Sequence, residues 1–276
     1  MTRGNRPAPD DAAWGYYAAL HPNALERILD ESPVAYLPWG ALDWHGPHLP
    51  FGVAGFTAEA ICERVARRAG GVILPTTWWP ITAVPHHFSI SLPSHVVLAL
   101  WDALFAELMR LGVQLAVVAT GHYAHAHDLL LMDAAETAME RYGIMVLAIP
   151  PMALVDDQML DHAAHWEVAQ MLAIRPRLVD VAALGEGPLP PAITGVLGND
   201  PRAATPSQGE SALVLATESL VGAVRALLEN HSHASIRELY ARRRRVYQRY
   251  VETYFRGSWE EAAQAWWADR TRPSAE

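Results

Sequence analysis

Four short apolar runs, Val34 to Leu37, Gly71 to Leu74, Gln114 to Thr120 and Gly143 to Ile149, are each bounded by Gly, Pro or polar residues. Runs of this length, several rich in Val and Ile, predict buried strands. Between them apolar residues recur three and four apart over Thr57 to Ala69, Ser94 to Leu111 and Asp128 to Tyr142. That spacing predicts helices, the first capped by Thr57 with Glu59 in its first turn. Strands alternating with helices of this length imply right-handed crossovers and a mainly parallel sheet with helices on both faces. The predicted fold class is α/β, in a single domain.

Further helices are predicted over Ser207 to Asn230, with Glu210 early and an apolar stripe of Leu213, Leu220, Val224 and Leu227, and over Ser235 to Phe255. Gly185 to Asp200 is rich in Gly, Pro and Asn and reads as an ordered loop. The expected organisation is an N-terminal segment and lead-in helix over 1–33, the α/β domain over 34–230, and a helical extension over 231–276. The extension's Tyr240, Tyr247, Tyr250, Tyr254 and Phe255 suit either packing on the domain or a homo-oligomer surface.

The chain has 276 residues, 51% of them hydrophobic, which is enough to bury one large core. Its net charge of -9 argues against a surface that tracks nucleic-acid phosphates. The basic run Arg242-Arg243-Arg244-Arg245 lies within the last predicted helix and is expected on its solvated face. A single cysteine, Cys62, cannot form an internal disulfide and suits a small buried residue on a helix. No signal-like segment opens the chain and no run reaches the roughly 20 uninterrupted apolar residues of a membrane span, so a cytoplasmic protein without membrane contact is expected.

Ligands of an open parallel sheet bind beyond the carboxyl ends of its strands. The strand at Val34 leads to Asp43, His45 and His48; the strand at Gln114 leads to His122, Tyr123 and His125; a third loop carries Asp161, His162, His165, Trp166 and Glu167. Imidazole and carboxylate groups gathered at one sheet edge suit zinc, manganese or iron, with an open position for water. The loop after Gly71 adds Trp78, Trp79, His86 and His87, either lining the pocket or packing at its edge, with His87 a substrate contact. Trp266 and Trp267 are expected to anchor a helix or a subunit contact.

Asp43-Trp44-His45-Gly46-Pro47-His48-Leu49-Pro50, then Gly121-His122, then His162-Ala163 with Glu167, then Gln208-Gly209-Glu210, resemble the ordered motifs of the creatininase family. Over roughly Trp39 to Leu228 the resemblance implies an α/β amidohydrolase that cuts a C–N bond of a small cyclic amide or formamide, and an N-acyl compound is a further expected substrate. It also implies two divalent metals and a homo-oligomer. By the same resemblance Asp43, His45 and His122 are metal ligands, Glu167 a ligand or general base, and His162 the proton donor to the leaving nitrogen. Tyr123 and Trp166 then shape the substrate pocket.

The sequence departs from the family pattern where the aspartate that bridges the two metals falls on Ala54, and Asp43 stands for a glutamate. An alanine methyl cannot ligate a dication, so a mononuclear centre is expected, with one or both of His125 and His165 as replacement ligands and His125 preferred. The alternative is a metal-free pocket in which the same histidines and Glu167 perform acid-base chemistry or only bind a small molecule.

Overall fold

The computed structural model describes residues 12–272. Five strands, β1 (Trp14–Tyr16), β2 (Val34–Trp39), β3 (Gly71–Ile73), β4 (Leu115–Thr120) and β5 (Met145–Ile149), form one sheet in the order β1-β3-β2-β4-β5. Every pairing is parallel. All six residues of β2 and all six of β4 are buried, which is why both appear in the sequence as continuous apolar runs rather than as alternation. The sheet also takes in Trp14–Tyr16, ahead of the expected domain start at 34.

Helices α1 (Pro22–Glu31), α2 (Val53–Ala69), α3 (Ser94–Arg110) and α4 (His125–Tyr142) connect successive strands. The chain steps from β2 outward to β3 through α2, then back across β2 to β4 through α3, and on to β5 through α4. Right-handed crossovers that step in opposite directions put their helices on opposite faces. Helices α5 (His165–Ile174) and α7 (Pro206–Asn230) pack with α2, whereas α8 (His233–Tyr254) and α9 (Trp259–Thr271) pack with α4. The step reverses at β2, so the crevice beyond β2 and β4 is the topological switch point where a ligand site is expected.

Several elements differ from their sequence expectation. Helix α2 begins at Val53, so Thr57 is no cap; its Oγ1 donates instead to the Val53 and Ala54 carbonyls inside the first turn. Helix α4 begins at His125, three residues before Asp128. The stretch from His165 is a helix rather than a loop, and a short helix α6 (Pro191–Thr194) interrupts the Gly/Pro-rich segment. Helix α7 is long and apolar enough to cross a membrane by composition, yet Leu213, Ala216, Leu220 and Val224 are buried in the core. Cys62 is buried on α2, as its neighbours suggest.

The C-terminal helices join the core directly. The Tyr240 hydroxyl donates to the Val146 carbonyl at 2.7 Å and accepts the Ala148 N–H at 2.8 Å, satisfying backbone groups along the open edge of β5. Arg243 is not on a solvated face. It is 6% exposed, pairs with Asp157 and Tyr247, and lies 3.7 Å from Asp128.

Candidate metal centre and substrate pocket

Strand β2 ends at Trp39 and the chain delivers Asp43 and His45 over the sheet edge. Gly46 lies at φ +71 with the Thr194 carbonyl where a side chain would go, a turn that only glycine makes here without strain. Strand β4 ends at Thr120 and delivers His122. Gly121 lets β4 press against α2, since a Cβ there would sit 2.0 Å from the Ala54 carbonyl oxygen. Beside the loops after β2 and β4, Asp161 accepts the Trp166 N–H at 2.7 Å and the Glu167 N–H at 3.1 Å, covering the first N–H groups of α5 and aiming Glu167 inward. Ala163 adopts φ +50, a strained conformation for a non-glycine residue; its N–H donates to Glu167 Oε2 at 2.6 Å and its carbonyl accepts from His48 Nε2 at 2.9 Å.

Asp43, His45 and His162 bring ligand-type atoms within 4.8 Å of one another. Asp43 is wholly buried and neither of its carboxylate oxygens has a well-formed hydrogen bond. Its Oδ1 lies 3.4 Å from His45 Nδ1 and its Oδ2 lies 3.7 Å from His122 Nδ1. Each of the three rings is tied to a backbone carbonyl: His45 Nδ1 to Asp43 at 2.9 Å, His122 Nε2 to Thr82 at 2.5 Å and His162 Nε2 to Trp44 at 3.0 Å. A carbonyl only accepts, so those nitrogens carry the hydrogens, and each opposite ring nitrogen offers a lone pair whenever its imidazole is neutral. This second layer of contacts orients metal-binding imidazoles. A buried carboxylate short of donors, amid imidazole lone pairs, fits a divalent cation.

The charges agree with that geometry. Burial pushes Asp43 up, but His45, His122 and His162 outweigh it and hold the carboxyl below its ordinary value. Burial opposes charge on His45, yet the Asp43 and Glu167 carboxylates raise it to about 9. Burial and the charge of His45 lower His162 to about 4. Burial and the neighbouring His45 thus hold the His162 imidazole neutral near pH 7. Glu167 Oε2 lies 3.4 Å from His45 Nε2; burial raises this acid, but His45 pulls it net below its usual range. Burial and the charge of Glu167 raise Asp161 well above its ordinary value.

A cavity of about 370 Å³ reaches this group at His162 and is lined on the same side by His122, Tyr123 and Asp161. Of the expected substrate contacts, Tyr123 lines it. Trp166 does not; it packs against the core and meets the His165 ring edge-on at 5.2 Å. His87 is exposed beside Phe88, with ring centroids 3.9 Å apart, and is not in the cavity wall. Trp78 packs on Phe56, the Trp79 side chain is exposed while its carbonyl accepts from the Trp39 indole, and neither lines the cavity.

His125, expected as a metal ligand, is not part of the Asp43, His45 and His162 group. It opens α4 and sits among the rings of Tyr247 at 4.7 Å, Tyr250 at 4.9 Å and Trp266 at 5.7 Å. Burial, with help from Arg270 and Arg243, lowers it to about 4. The structure places Tyr250, Trp266, Trp267 and Arg270 in the same cavity wall, none of which the sequence marks as site residues. Trp266 and Trp267, expected to anchor a helix or a subunit contact, both reach the cavity.

A family model described as creatininase, creatinine amidohydrolase, matches residues 18–224. The creatinine amidohydrolase of Pseudomonas putida is 25% identical over 187 residues, spanning 59% of this chain and 72% of that protein. A solved mutant creatininase of Zn-Zn type is 22% identical with a TM-score of 0.67, covering 78% of this chain and 98% of that one. A mutant creatininase complexed with creatine is 23% identical with a TM-score of 0.68, again over 78% and 98%. These structures share the fold, and the family match runs through β2, β4 and α5, which carry the buried histidines and carboxylates. The chain belongs to the creatininase family.

Proposed function

We propose that the protein is a mononuclear metal-dependent amidohydrolase, with Asp43, His45 and His162 holding one zinc-like divalent ion, acting on the C–N bond of a small cyclic amide, formamide or N-acyl compound. The observation that carries this reading is the Asp43 carboxylate, buried without a well-formed hydrogen bond between imidazoles whose tautomers are set by backbone carbonyls. Family membership supports amidohydrolase chemistry, and the Zn-Zn form of a solved relative supports zinc. One ion rather than two follows from Ala54, which offers no carboxylate.

When bound, the metal supplies a Lewis acid that polarises the scissile carbonyl. Glu167 stands across His45 as a charged carboxylate and takes the proton of the attacking water. The same carboxyl then returns the proton to the leaving nitrogen, a role His162 cannot fill while it stays neutral. His122, tied to Thr82, lies against Asp43 and lines the cavity, where it positions the substrate.

Elemental analysis of the purified protein beside a His45→Ala, His162→Ala double variant tests this. The expected result is about one equivalent of zinc per chain in the parent and none in the variant. No metal in the parent after reconstitution would overturn the reading and favour metal-free acid-base chemistry at the same residues.

A further inference from the structure

The cavity has two walls of different origin. The inner wall, with His122, Asp161 and His162, lies within the family match; the outer wall, Tyr250, Trp266, Trp267 and Arg270, comes from α8 and α9, beyond residue 224 where that match ends. The two are continuous. The Trp267 ring lies 6.5 Å from the His162 ring, Trp266 lies beside it in the chain, and the Arg270 guanidinium sits over the Trp266 ring at 4.1 Å. A molecule held at the histidine group therefore extends along indole faces toward a guanidinium.

That guanidinium has no ion-pair partner among the described residues. The neighbouring acid, Asp269, is taken by the Tyr254 hydroxyl at 2.9 Å and by Arg272 at 3.6 Å. Stacking on Trp266 fixes the plane of the fork and leaves its edge for an acceptor. His125 adds a buried Nδ1 with no partner in the same wall. The volume of about 370 Å³ falls within the ~300–1,000 Å³ that accepts small molecules.

We infer that α8 and α9 form a specificity wall selecting substrates with a carboxylate arm, which pairs with Arg270, and a planar or apolar body, which lies against Trp267 and Tyr250. The inference rests on the amidohydrolase reading for the bond that is cut. The substrate class is then an N-acyl amino acid or a carboxylated cyclic amide. Arg270 is a binding residue at the far end of the pocket, and Trp266 positions it.

Calorimetric titration of the purified metal-containing protein with N-benzoylglycine and with its primary carboxamide tests the wall. The carboxylate is expected to bind about tenfold more tightly than the carboxamide, the gain of one charge-assisted contact. Arg270→Gln, an exposed position that leaves the core untouched, is expected to bring the two within about twofold. The His45→Ala, His162→Ala variant is expected to keep the carboxylate preference, which separates this wall from carboxylate binding at the histidines and from any failure of the metal reading. Equal or absent binding of the two compounds in the parent, a preference that survives Arg270→Gln, or one lost in the double histidine variant would each overturn the inference.

Discussion

His45 Nε2 faces Glu167 Oε2 at 3.4 Å, although both atoms present lone pairs once His45 Nδ1 has donated to the Asp43 carbonyl. Two acceptors hold that separation in a buried site only with positive charge close by, as a proton on the ring or a cation beside it. The pair therefore links the candidate metal group to the carboxylate proposed to move the proton.

Glu167→Gln separates those two duties. The amide cannot accept the proton of water, so turnover is expected to fall by about 10²–10⁴-fold. Metal content is expected to stay at one equivalent, because Asp43, His45 and His162 remain. Parallel elemental analysis and rate measurement on a panel of cyclic and N-acyl amides check this. A variant that loses its metal would make Glu167 a ligand instead.

Ala54 lies in the first turn of α2, wholly buried, with its carbonyl against Gly121. On the resemblance that sets Ala54 where the family has its bridging aspartate, a carboxylate there would supply that ligand, and an acidic side chain suits the first turn of a helix. Ala54→Asp is expected to raise the metal content from one to two equivalents per chain. A folded variant that still binds one ion would show that position 54 is not what limits the count.

Four of the five strands are legible in the sequence because a parallel strand covered on both faces needs an unbroken apolar run. Trp14–Tyr16 is not, being three residues long with a central glycine. Helix α5 escapes because its first turn, His165-Trp166-Glu167, breaks the apolar spacing with two polar residues and follows a polar loop. Asp43, His45 and His122 are legible because each follows a strand that ends at the switch point. The grouping of His162 with Asp43 and His45 is not, since it comes from a contact with His45 across 117 positions that no local spacing encodes. Arg243 was available to the pattern: Tyr240, Arg243, Tyr247 and Tyr250 recur at helical spacing and share one buried face. Nothing local, however, tells that α9 folds back to bring Trp266, Trp267 and Arg270 to the cavity.

The Tyr240 hydroxyl serves two backbone groups of β5, and its loss leaves the Val146 carbonyl and the Ala148 N–H short of partners in the core. Tyr240→Phe is expected to destabilise the fold by about 1–3 kcal/mol, the range for stranding buried polar groups. Urea unfolding of the two proteins measures it, and a change below about 0.5 kcal/mol would mean that water replaces the hydroxyl.

Asp128, on the buried face of α4, accepts the Tyr247 hydroxyl at 2.5 Å through Oδ2 and leaves Oδ1 without a partner. Burial raises this acid to about 7, against the lowering effects of Tyr247 and Arg243. The folded state thus holds the Asp128 proton more tightly than the unfolded chain does. Its contribution to stability is complete below about pH 4, declines as pH rises through 7 and changes no further above that, a span on the order of 4 kcal/mol at about 1.4 per pH unit. An asparagine amide in place of the acid cannot titrate, so the stability of Asp128→Asn relative to the parent is expected to rise between pH 4 and 7 and then level off. Urea midpoints of both proteins across that range give the difference directly. A difference that does not vary with pH would mean that Arg243, 3.7 Å away, keeps Asp128 charged throughout.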